Sequence, residues 1–274
     1  MIVLGIDTSG YINAVGVCDG ARVLVNNRFP ARTDTLEQIV DNIDVTIKQA
    51  GMSLKDIEGI GVGLGPGSWT GIKVGVTVGK MLAFSAGKPV IGISTLEALA
   101  YSVREETRPV YTVIGAGVRD MVYAARYRFK ENEPVRDGEY FAGDVRGLVE
   151  LIHEPSVLAG PGASGYRDII LQENEPAQDK PEANQSNISE NNLHNVVKVA
   201  NNEPAQSGNS TLNPGFSPDR LIKAIDYEPA GASVACLAAI RLARGQSDDP
   251  LALTPMYLKE STAKVFVNKY SGNR

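Results

Sequence analysis

The chain has 274 residues, 43% of them hydrophobic, and a formal net charge of −5, with a sequence pI near 5.2. That balance suits a globular protein with a real core and leaves room for two domains of ordinary size. It excludes RNA or DNA binding through bulk positive charge, so any work on RNA would need a partner to supply the basic surface.

The elements follow in chain order. Residues 2–6 read as a buried strand ending at Asp7-Thr8-Ser9, and 12–18 as a second strand. Asp19-Gly20 is a tight-turn signal, and 22–28 pairs back as a third strand. Asp34 and Glu37 have capping-box spacing before a helix over 35–50. Leu36, Ile39, Val40, Ile43 and Ile47 mark its apolar face, and Gly51 stops it. A strand at 57–63 leads into a glycine-rich loop and a helix over 70–86. A strand at 90–93 runs into Ser94-Thr-Leu-Glu97, a second capping box, which opens a helix to about residue 105.

A second unit starts near Arg108-Pro109. The pattern predicts strands at 110–116 and 121–129, a helix at 144–153, a strand at 156–159 and a tight turn at Gly160-Pro-Gly162. From 172 to 213 the composition shifts to Asn, Gln, Glu, Pro and Ser, and Asn-Glu-Pro-Ala-Gln occurs at both 174–178 and 202–206. This insertion buries too little apolar surface to offset ordering entropy, so disorder is expected there, with a short ordered piece at 196–199. Order is expected again over 214–225 and in a helix over 230–244, followed by an extended segment at 253–259. The expected domains are therefore 1–107 and 108–260, with a mobile polar tail at 261–274.

Chemistry is sparse. The two histidines, His153 and His194, form no ligand pair, so no metal is expected. No Gly-x-Ser-x-Gly elbow surrounds Ser9, Ser68 or Ser164, and no histidine presents itself for a serine triad. Cys18 and Cys236 are far apart in sequence. They suggest a reducing cytoplasm without a disulfide framework, with Cys18 as a small buried hydrophobe. No signal peptide is expected, and no apolar run is long enough for a membrane span.

The loop Gly63-Leu-Gly-Pro-Gly-Ser-Trp-Thr-Gly71 is the most specific feature. Gly63, Gly65, Pro66, Gly67, Ser68 and Thr70 shape it. It fits neither the Walker phosphate loop nor the dinucleotide fingerprint. It offers either an anion cradle at a helix start or a place where something packs closely. Asp7, Thr8 and Ser9 permit two readings as well. One is a turn that caps backbone N–H groups. The other is a vestigial phosphate site, as in sugar kinases, actin and Hsp70 relatives. The helix carries Gly71, Gly75 and Gly79 on one face, each costing about 1 kcal/mol relative to alanine. Either the first long helix or a second subunit packs against that stripe.

Gly63-Leu-Gly-Pro-Gly-Ser-Trp-Thr-Gly-Ile-Lys-Val-Gly75 resembles the signature of the bacterial TsaB (YeaZ) family. Ile6-Asp-Thr-Ser9, Pro89-Val-Ile-Gly-Ile-Ser-Thr-Leu-Glu-Ala98, Val122-Tyr-Ala-Ala125 and Pro255-Met-Tyr-Leu-Lys259 agree in order and spacing. The resemblance covers most of 1–170 and 214–260. It implies an α/β, actin/Hsp70/sugar-kinase-like fold of two lobes, with mixed sheets flanked by helices. It also implies a role in making N6-threonylcarbamoyladenosine in tRNA, as the non-catalytic scaffold of a TsaD-type transferase alongside a TsaE-type ATPase. The chain lacks the His-x-x-x-His motif of the catalytic relative. The resemblance thus implies contact with tRNA only through partners, and no cofactor except a nucleotide at the junction with the partner. The partner surface it implies is the helix pair, hence Leu36, Ile39, Val40, Ile43, Gly71, Gly75, Thr77 and Gly79. A homodimer through the same surface is allowed in the partner's absence. Two departures stand out: Arg32-Thr33 where the family commonly has a histidine, and Gly115-Ala116-Gly117 where it commonly has Asp-Ala-Arg. An independent kinase or peptidase of the same fold is the competing reading. It finds neither a catalytic carboxylate beside Gly160-Pro-Gly162 nor a metal pair.

Overall fold

The computed structural model describes residues 1–30, 35–172, 221–225 and 230–258. Strands β1 (Ile2–Asp7), β2 (Ile12–Asp19) and β3 (Arg22–Pro30) form an antiparallel meander joined by the Asp19-Gly20 turn. Gly20 has a φ of +58°, the conformation that turn demands. Helix α1 (Thr35–Gln49) follows. β4 (Gly59–Gly63) then lies parallel to β1, with Val3 opposite Gly59. After α2 (Trp69–Ala86), β5 (Val90–Ile93) adds parallel to β4, and α3 (Thr95–Ser102) closes the unit. The first sheet therefore runs β3-β2-β1-β4-β5. Its parallel strands are near-continuous apolar runs because helices cover both faces.

The second lobe holds β6 (Val110–Gly115), β7 (Met121–Lys130), β8 (Glu133–Arg136), β9 (Phe141–Asp144), α4 (Val145–Glu150), β10 (Ser156–Ala159), α5 (Pro161–Gly165), α6 (Arg167–Gln172) and β11 (Leu221–Ile225). Its strand order is β11-β10-β6-β7-β8, with β9 also paired to β7. The short strands β8 and β9 have no counterpart in the sequence reading, because four residues are too few to show a period. The expected helix over 144–153 is shorter than predicted. It starts on the Asp144 carboxylate, which accepts from Arg146 N at 2.8 Å. The expected disorder over 172–213, the ordered piece at 196–199 and the tail at 261–274 lie outside the described residues, apart from Gln172 at the end of α6.

One element departs from its place in the chain. Helix α7 (Gly231–Ala243) follows the second lobe in sequence, yet it packs on the first sheet. The boundary expected at 107/108 therefore does not separate the cores, since the 108–260 segment completes the first lobe. Val3, Cys18, Ile91 and Ile93 meet Val234, Ala235 and Leu237 on that face. The approach is close because both surfaces are stripped. A Cβ on Gly5 would collide with Gly231 O, one on Gly16 with Ala232 N, and one on Gly61 would come within 2.8 Å of Ala238 Cβ. The Arg241 guanidinium also binds the Glu97 carboxylate, and Ser102 Oγ lies 2.8 Å from Ser233 Oγ, tying α7 to α3.

The opposite face of the first sheet carries Leu4, Ile6, Val15, Val17, Ile60 and Val62. They pack against Ile39, Ile43 and Ile47 of α1 and Ile72, Val76 and Ala83 of α2. Each such aliphatic side chain contributes about 1.5–3 kcal/mol when fully buried. This core fixes the two helices side by side and aims the glycine loop at the space between the lobes.

Candidate functional site

The glycine loop leaves β4 at Gly63, turns through Gly65 (φ +91°) and a cis bond to Pro66, and enters α2 at Trp69. It folds down over the end of β1. Ser68 N donates to Ser9 O at 2.6 Å, and Thr95 N donates to Gly65 O at 2.9 Å. The Ser68 hydroxyl caps α2, accepting from Gly71 N at 3.2 Å. Gly67 has no room for a side chain because Ser9 O lies under it. A strap from the chain's far end holds the loop from the other side. Met256 N donates to Leu64 O at 2.8 Å, and Lys80 Nζ donates to Leu253 O at 2.8 Å. The loop residues Gly63, Gly65, Pro66, Gly67, Ser68 and Thr70 are thus held by β1, α3 and this strap.

Asp7, Thr8 and Ser9 do come together, but beneath the loop. Asp7 has no exposed surface. Its Oδ1 accepts from Ser9 N at 2.8 Å, its Oδ2 accepts from Thr95 Oγ1 at 2.8 Å, and Gly63 leaves no space beside it. Burial pushes its pKa up, against the hydrogen bonds from Ser9 and Thr95. Thr8 Oγ1 donates to Gly71 O at 2.6 Å. The turn reading describes this geometry. The phosphate reading does not, because Asp7 is fully buried and both of its carboxylate oxygens are engaged within the chain.

The glycine stripe of α2 also faces inward. A Cβ on Gly71 would collide with Thr8 O, one on Gly75 with Thr8 Oγ1, and one on Gly79 with Val62 Cγ2. The stripe makes room for β1 and β4, neither for α1 nor for a second subunit. This corrects the placement of Gly71, Gly75 and Gly79 on a partner surface. Ile39 and Ile43 are buried in the core as well, and the side chain of Leu36 lies outside the described residues. Of the eight residues, Val40 and Thr77 remain exposed.

The outward faces of the pair show what the sequence reading missed. Met81 and Phe84 of α2 are 61% and 64% exposed, and Val40 and Val45 of α1 are 56% and 43% exposed. Thr77, Met81 and Phe84 recur at i, i+4 and i+7 on the side of α2 opposite the glycines. That spacing was visible in the sequence, but the glycines drew the assignment to the wrong side.

Between the lobes lies a cleft of about 750 Å³. The turn after β1 (Ser9 to Tyr11), the loop at Trp69, the turn Gly115–Arg119 and the start of α5 line it. Among the described residues lining it, Arg119 is the one charged side chain, and no carboxylate is present. Gly115-Ala116-Gly117 therefore places bare backbone at the cleft wall. Trp69 stands at the rim: its ring centroid is 4.4 Å from that of Tyr257, and the Lys73 ammonium lies 4.1 Å from the ring centroid. Among the described residues no group of three or more His, Cys, Asp or Glu could hold a metal ion. No helix among them is long and apolar enough to cross a membrane.

Residues 30–138 match the family model described as TsaD: tRNA N6-adenosine threonylcarbamoyltransferase. The chain is 31% identical over 180 residues to the tRNA threonylcarbamoyladenosine biosynthesis protein TsaB of Escherichia coli, covering 62% of this chain and 75% of that protein. It is 26% identical over 173 residues to the protein of the same name from Bacillus subtilis, with shares of 62% and 75%. A tRNA N6-adenosine threonylcarbamoyltransferase of Tropheryma whipplei is 34% identical over 133 residues, covering 43% of this chain and 32% of that enzyme. The solved structure of YeaZ from Pseudomonas aeruginosa superposes with a TM-score of 0.64 at 20% identity. It covers 94% of this chain and 99% of that one, and so shares the fold.

Proposed function

The chain belongs to the TsaB family, and from that premise we propose that it is a scaffold and activating subunit for a TsaD-type transferase that forms N6-threonylcarbamoyladenosine in tRNA. The observation that carries the scaffold role is the exposed apolar surface of α1 and α2. Val40, Val45, Met81 and Phe84 stand in solvent on two helices whose other faces are locked into the core. Exposed apolar side chains of this size on two adjacent helices suit a protein interface. The catalytic partner docks there, and a TsaE-type ATPase joins the pair. Contact with tRNA runs through the partners, consistent with the net charge of −5. The subunit works in the cytoplasm and holds no cofactor of its own; a nucleotide binds only at the junction with the partner. Without the partner, two copies associate through the same surface.

The buried Asp7 argues against an independent kinase, since its carboxylate oxygens are taken by Ser9 and Thr95. The test is reconstitution of threonylcarbamoyl transfer to tRNA from purified proteins. The chain alone is expected to give no product, and product is expected only once its TsaD-type partner is added, with the TsaE-type ATPase present. Turnover by the chain alone would reject the scaffold role.

A further inference from the structure

Cys18 and Cys236, some 218 positions apart in the sequence, meet at the junction of β2 and α7. Cys18 Sγ lies 3.3 Å from Ala232 O, one helical turn before Cys236 on the same face of α7. Cys236 Sγ lies 3.8 Å from Ala21 O, at the turn that follows β2. Both side chains belong to the core cluster between the first sheet and α7, and both are buried. The Arg104 charge acts on both sulfurs. Cys236 has Tyr101 and Arg104 beside it, and the Arg104 guanidinium lies 4.6 Å from the Tyr101 ring centroid. Cys18 faces the carbonyl of Ala232.

We propose that Cys18 and Cys236 are a thiol pair that closes to a reversible disulfide on exposure to a peroxide, with Cys236 as the attacking sulfur and Cys18 as the resolving one. The roles follow from the geometry: the Cys18 thiol is held against the Ala232 carbonyl at 3.3 Å, whereas Cys236 Sγ stands 3.8 Å from the Ala21 carbonyl. Hydrogen bonding from the Cys18 thiol, then the Arg104 charge and Tyr101, hold Cys236 below the ordinary thiol range against the opposing effect of burial. Cys18 keeps its proton because its S–H faces the Ala232 carbonyl, and the Cys236 sulfur and burial act in the same direction, disfavouring its thiolate. In the first step the Cys236 thiolate attacks one peroxide oxygen. The O–O bond breaks, Cys236 becomes a sulfenic acid, and the hydroxide released takes up the proton that the thiol had lost, giving water. The Cys18 sulfur then attacks the Cys236 sulfur. The S–O bond breaks, and the departing hydroxide leaves with the Cys18 proton as a second water. Two thiols lose two electrons and two protons, and one peroxide becomes two waters.

The bridge would fasten α7 to the first hairpin across a loop that contains the whole second lobe. A loop that long gives a large chain-entropy effect, so the oxidised protein should melt roughly 5–15 °C above the reduced one. The experiment treats the purified full chain with hydrogen peroxide, blocks remaining thiols with a maleimide under denaturing conditions, and maps the peptides. The expected result is joint loss of both thiols in a monomer lighter by about 2 Da, one cross-linked peptide carrying Cys18 and Cys236, and recovery with dithiothreitol. In Cys18→Ser, a sulfenic acid should persist on Cys236 and be trapped by dimedone. Two unbridged thiols after treatment, a bridge only between separate chains, or dimedone trapping on Cys18 in Cys236→Ser but none on Cys236 in Cys18→Ser would overturn the proposal. The mapping of the unmodified chain decides the matter even if a serine variant does not fold.

Discussion

The two faces of α2 are built on opposite rules. One face is reduced to glycine at 71, 75 and 79 so that Thr8 and Val62 can touch its backbone. The other carries Met81 and Phe84 into solvent. A stripe of small residues reports that something approaches closely; it does not say whether that neighbour is a strand of the same chain or another molecule. Here the neighbour is internal, so the glycines govern stability and the outer face is the side left to solvent.

The largest effect should come from breaking the inner face. Gly75→Leu forces a side chain into Thr8 and should cost about 3 kcal/mol or more, lowering Tm by roughly 6–12 °C in thermal melts. A variant that melts like the parent but binds its partner less well would return the stripe to the interface. The outer face should answer oppositely. Met81→Glu with Phe84→Glu should leave Tm within about 2 °C, yet weaken partner binding by calorimetry about 100-fold, as central apolar anchors do. A smaller effect is expected beneath the loop. Burial raises the Asp7 pKa above the ordinary 3.8. The stability this group permits is complete below that value and is lost as pH rises through the folded-state value. Asp7→Asn removes the charge, so the Tm of the variant relative to the parent should rise between about pH 4 and about pH 7. A constant difference across that range would show that the carboxylate carries no such penalty. The smallest change is Val40→Ser, at the α1 side of the exposed patch. It should alter stability by under about 0.5 kcal/mol and partner affinity only a few-fold.

Local signals located most of the first lobe. The Asp19-Gly20 turn, the apolar period of α1 and the glycine loop each depend on neighbours a few residues away, and each stands where those neighbours put it. Helix α3 does begin after Ser94, but the expected capping box does not form, since no side-chain hydrogen bond caps the helix and Glu97 binds Arg241 instead. What stayed hidden were contacts between distant segments. Nothing near Gly231 announces that it rests on Gly16, or that α7 also lies against Gly5 and Gly61. The same blindness separated Cys18 from Cys236. At the site, the residue types were legible but their direction was not. Asp7, Thr8 and Ser9 read first as a turn, with a ligand cradle as the alternative, and the loop lying on them decides for the turn.

The return of α7 to the first sheet has a consequence for biosynthesis. One face of the earliest-made strands stays uncovered while the ribosome adds roughly 150 further residues, on the order of ten to thirty seconds at ordinary elongation speeds. Throughout that interval Val3, Cys18, Ile91 and Ile93 form an open apolar shelf on the nascent chain. Only the late arrival of the alanine-rich segment shuts it, so chaperone demand during translation should track the emergence of residue 243 rather than the completion of the N-terminal half.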